Sequence, residues 1–87
     1  MTNKKERVAR ARRIRQHVKV PFVLSQKLAR VITAFDAAEI LMKAGYTVDY
    51  VVTGHCPDDG GENGFLVVAK DGKEIGRIPY GCTGLDV

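Results

Sequence analysis

The chain has 87 residues, 45% of them hydrophobic and 28% charged, with a formal net charge of +4. That length allows one small domain with a modest core, and the composition excludes wholesale disorder. No apolar run approaches the roughly 18 residues that span a bilayer, and the basic N-terminus lacks the apolar stretch of a secretory signal, so a cytoplasmic home and no membrane partner are expected.

The first element is the most charged. Residues 1–30 hold ten Lys or Arg against Glu6 alone, whereas residues 31–87 hold four basic and nine acidic residues. Asn3 and Glu6 are placed like a capping pair, and from 4 to 18 there is no Gly or Pro. Val8, Ala11, Ile14 and Val18 fall on one helical stripe, with Arg7 and Arg15 inside or beside it. The stripe is thin. Residues 1–19 therefore read as a basic helix, loosely docked or ordered only when something anionic lines it.

"KVP" breaks the pattern, since the residue before proline avoids the helical region and proline suits a first helical position. From Pro21 a second helix reads "PFVLSQKLARVITA", with Leu24, Leu28, Val31 and Phe35 on one face. A short third helix follows. Asp36 is its N-cap, with Thr33 as the alternative three residues earlier, and Gly45 is a left-handed stop after Ala44. After Tyr46 the period changes to two. "YTVDYVV" places Val48, Tyr50 and Val52 on one face of a half-buried strand.

"GFLVVAKDGKEIGRIPY" is a hairpin with Asp71-Gly72 as a type I′ turn. A two-residue loop pairs Lys70 with Lys73, Val68 with Ile75 and Phe65 with Ile78. That register sends Ile75 and Ile78 to opposite faces, so a bulge is expected at Gly76, and Pro79 ends the strand or lies at an edge. The fold class is α+β: three N-terminal helices followed by a three-stranded antiparallel β-sheet, in a single domain of residues 1–87 with helices on one sheet face.

Between the first two strands lies "TGHCPDDGGENG", residues 53–64. His55, Cys56 and Cys82 are competent zinc ligands with Asp58, Asp59 and Glu62 nearby. Adjacent His and Cys side chains on an extended strand point opposite ways, however, and no C-x-x-C spacing occurs, so neither metal nor other cofactor is expected. Two cysteines in a reducing compartment read as free thiols. A disulfide between them is the alternative. In a meander they share one end of the sheet but sit two strands apart, about 9.5 Å, against the roughly 7 Å limit on Cα separation. Cysteine catalysis would need a histidine and a third orienting group, and none can be named. The glycines match no phosphate-loop pattern.

From Ala37 to Pro79 the chain resembles the HicA-type toxin ribonucleases through "LMKAGY" (41–46), "TGH" (53–55) and "RIP" (77–79). The resemblance implies a small ribonuclease in which His55 carries the catalytic role. The serine of that family's Gly-Ser-His motif is missing here, and the glycine-rich loop is extra.

The functional signal carried by the residues themselves is "KKERVARARRIRQHVK". Guanidinium groups bind phosphate bidentately, and release of condensed counterions drives association. The segment has no aromatic residue to stack bases, which favours backbone or groove contact. The expected function is a non-enzymatic binding protein that contacts nucleic acid, or a nucleic-acid-handling complex, through Lys4, Lys5, Arg7, Arg10, Arg12, Arg13, Arg15 and Lys19. An adaptor or inhibitor of the mobile-element type, meeting an acidic protein surface, is the alternative. The unpaired sheet edge also suggests a homodimer.

Overall fold

The structure, a computed structural model, describes residues 4–58, 60–82 and 84–87. Asn3, of the expected capping pair, and Asp59 lie outside the described residues. Three helices, α1 (Lys4–His17), α2 (Phe22–Leu28) and α3 (Ala34–Lys43), precede the strands β1 (Thr47–His55), β2 (Glu62–Lys70), β3 (Lys73–Gly81) and β4 (Gly84–Leu85). The sheet is antiparallel in the order β1-β2-β3-β4. The α+β class read from the sequence is thus the fold, with a two-residue fourth strand added.

The core lies between the helices and one sheet face. Ile14, Leu28, Leu41, Leu66, Val68 and Ile78 are fully buried, and burying a side chain of this size stabilises the fold by about 1.5 to 3 kcal/mol. The thin stripe of α1 is fully used in its C-terminal half, where Ala11, Ile14 and Val18 are sealed against α2 and β3. Gly76 makes that seat possible. Its φ of +148° and its isolated bridge to Val18 bring the two backbones so close that a Cβ would meet the His17 carbonyl oxygen. The neighbouring Lys19 amide donates to the Ile75 carbonyl at 3.1 Å.

The helices differ from expectation in one respect. α2 ends at Leu28 and the chain turns before Thr33, whose hydroxyl accepts from the Asp36 amide and caps α3, the earlier of the two candidate caps. Phe35 is consequently not on the core face of a long second helix. It stands on the outer side of α3, 53% exposed, with its ring 5.7 Å from Tyr50. Gly45, at φ +95°, ends α3 as expected.

In the hairpin, Asp71 and Gly72 both have positive φ, the geometry of a type I′ turn, and Lys70 faces Lys73. A bulge beside Gly76 absorbs Ile75, so Gly76 faces Val68, Leu66 faces Ile78 and Phe65 faces Pro79, where simple counting paired Val68 with Ile75 and Phe65 with Ile78. Pro79 does not end β3. Its carbonyl accepts from the Asp86 amide, so its missing N–H points the same way, toward β4 and away from β2, and costs no bond of the β2–β3 ladder. β1 is the open edge of the sheet, and apart from Val48 and Gly54 every residue in it is exposed.

Candidate functional site

The loop between β1 and β2 is shorter than its sequence suggests. Gly54 and His55 belong to β1 after a bulge at Thr53, and Glu62 to Gly64 belong to β2. The turn that remains closes on itself: the Cys56 amide donates to the Gly61 carbonyl at 2.6 Å, and the Gly60 amide to the Cys56 carbonyl at 3.3 Å. Cys56 and Cys82 are not free thiols. They form a disulfide with their Cα atoms 5.6 Å apart. The two-strand gap is closed because both residues lie beyond their strands and curl over the end of β2. Cys82 takes the left-handed conformation, φ +50°, and its amide donates to Asn63 Oδ1 at 2.7 Å. Asn63 is the post around which they meet.

That bond removes two of the three sulfur and nitrogen ligands considered for zinc, since neither sulfur is a thiolate. Among the described residues no group of three His, Cys, Asp or Glu side chains is placed to hold a metal. His55 is exposed and pairs across the strands with Glu62, Nε2 to Oε2 3.9 Å. Tyr80 lies on the helix side of the sheet. Its hydroxyl is buried with no hydrogen-bond partner among the described residues, and burial, then Glu62 and Tyr50, raise its pKa.

The cationic residues of the N-terminal segment fall into four groups. Arg10 is a brace: its Nε donates to the Val87 backbone oxygen at 3.1 Å, and one terminal nitrogen donates to Ala29 and Val31 carbonyls at 2.9 and 2.8 Å. These are carbonyls left over where α2 stops, and a guanidinium is well suited to collect them. Burial, then the nearby Arg13, lower its pKa. Arg15 stacks over Phe22 with its guanidinium carbon 5.4 Å from the ring centre. Lys5, Arg12, Arg13 and Lys19 are exposed. Lys4 and Arg7 turn toward α2, beside Gln26 and Arg30.

The ion pairs Glu39–Lys43 and Glu74–Arg77 and the His55–Glu62 contact all lie outside α1 and α2. No ion pair among the described residues involves Lys4, Arg7, Arg12, Arg13 or Arg30. Sequence reasoning missed Gln26 and Arg30 as neighbours of α1. Helical spacing could not have found the pair, because α2 stops at Leu28 and Arg30 lies in the turn beyond it. Among the described residues no helix is long and apolar enough to cross a membrane. Compared with known proteins, the chain matches no family model, and no curated protein or solved structure resembles it closely enough to count as a relative.

Proposed function

We propose that the protein is a non-enzymatic nucleic-acid-binding module that contacts the phosphate backbone through α1. The observation that carries this reading is a docked helix whose outward side chains Lys5, Arg12 and Arg13 are exposed and, among the described residues, form no ion pair. A solvated helix of mixed charge would pair such residues along its own face. Arg10, committed to three backbone oxygens, holds the helix in place and contributes to binding indirectly.

The test is affinity for short DNA and RNA duplexes as a function of salt. Binding is expected to fall steeply between about 50 and 200 mM salt, in proportion to the number of phosphates neutralised. Absence of binding at the lower concentration rejects the reading. Recovery from cells of one stoichiometric protein partner that survives nuclease treatment favours the adaptor alternative in its place. RNA cleavage that disappears in His55→Ala would revive the ribonuclease alternative.

A second reading concerns the opposite edge of the sheet, where the occupant we infer is another copy of the chain. β1 is nine residues long with one charge, Asp49, and Tyr50, Val51 and Val52 are about 40% exposed. Antiparallel pairing of two copies about Tyr50 or Val51 sets Asp49 against Val51 or Thr53, never against itself. α1 seats on β3, two strands away, so the two cationic segments stay apart.

A further inference from the structure

The buried stripe of α1 changes character along its length. In line with Val18, Ile14 and Ala11, at helical spacing, come Arg7 and Lys4. The first three positions are sealed in the core, whereas Arg7 is half-buried and Lys4 exposed, so the stripe ends in cations where docking calls for apolar side chains. What stands opposite is not a carboxylate. Gln26 of α2 and Arg30, just beyond its end, line with Lys4, Arg7 and Val8 a recess of about 120 Å³.

A water occupies about 30 Å³ in the liquid, so the recess has room for one tetrahedral oxyanion. Its walls hold three cations, and no ion pair among the described residues involves any of them. Glu6, the acidic residue of α1, lies on another side of the helix by its spacing from Lys4 and Arg7. Like charges gathered at a helix–helix joint oppose docking, and a bound phosphate converts that repulsion into charge-assisted hydrogen bonds.

We propose that this recess is a phosphate-binding site that grips a single backbone phosphate, while Arg12 and Arg13 follow the strand outside it. Arg7 and Arg30 supply planar guanidinium groups for the oxyanion, Lys4 a point charge and Gln26 an amide donor. The proposal rests on the nucleic-acid reading for the source of the phosphate. It does not rest on it for the existence of the site.

The experiment compares the full chain with Arg7→Gln/Arg30→Gln and with Arg12→Gln/Arg13→Gln, each first shown to be folded by circular dichroism. Binding to short DNA and RNA duplexes is measured across salt concentrations, and inorganic phosphate is titrated while amide shifts are followed by NMR. The recess variant is expected to bind duplex about tenfold more weakly at low salt, with a salt slope reduced by about one unit. Phosphate is expected to shift the Gln26 and Arg30 signals in the wild type and not in the recess variant. Whichever duplex responds identifies the source of the phosphate. A recess variant that binds duplex like the wild type, while the outer variant does not, overturns the recess and leaves the nucleic-acid reading standing. If no duplex binds, the nucleic-acid reading falls and the titration decides the recess alone. Shifts confined to its walls support it, and shifts absent or spread over all exposed cations overturn it.

Discussion

At the scale of single residues, Arg10 and its neighbours are chemically alike and structurally opposed. Arg10→Ala leaves the Ala29, Val31 and Val87 oxygens to water, and is expected to cost about 2 kcal/mol in a denaturant titration with unchanged slope. Arg12→Gln should stay within about 0.5 kcal/mol, as exposed sites do. Tyr80 makes a prediction about pH. Its pKa is raised in the fold, so the native state holds the phenol proton more tightly than the unfolded chain. Its stabilising contribution is therefore complete below the ordinary tyrosine range near pH 10 and is lost as the pH climbs through the raised value. Tyr80→Phe is expected to flatten that alkaline loss. Because the buried hydroxyl has no partner among the described residues, the same change should raise neutral-pH stability by about 1 kcal/mol; a drop in unfolding midpoint would contradict this.

At the scale of elements, the disulfide joins the ends of β1 and β3 over Asn63, so it closes a loop containing all of β2 and the hairpin turn. Replacing both cysteines by serine is expected to cost about 3 kcal/mol, read as a matched fall in thermal midpoint for the variant and for the reduced wild type. Such a bond persists in oxidising surroundings, so the same comparison bears on where the chain resides. The hairpin and the end of α3 were legible in the sequence because Asp71-Gly72 and Gly45 need only their own backbone angles. The bulge was legible too, through the mismatch between Ile75 and Ile78. The early stop of α2 was not, since "ARVITA" continues an apolar face and only the carbonyls collected by Arg10 and the cap at Thr33 decide otherwise. The disulfide was hidden for a related reason. Ideal strand spacing forbids it, and the curl of two loop residues around an asparagine side chain leaves no periodic trace. For the candidate site, the sequence marked the cations but not which would be spent on the fold.

At the scale of the whole molecule, charge and open edge lie at opposite ends of the sheet order. If copies pair through β1, the dimer is one eight-stranded sheet with its helices on a common face and the two α1 helices toward its ends. Sedimentation should then report twice the chain mass. Val51→Glu, which faces the partner's Asp49 or its own counterpart in the two registers and so sets like charges together in either, should return the monomer with its fold intact, whereas a wild type that is monomeric at high concentration removes the second reading. The seat of α1 on Gly76 has a further consequence, in time. Val18 and Gly76 come from opposite ends of the chain, so the cationic helix emerges first during synthesis and finds its place only after the hairpin has formed. Until then the arginine-rich segment is tethered but undocked, able to meet a polyanion before the protein that presents it is complete.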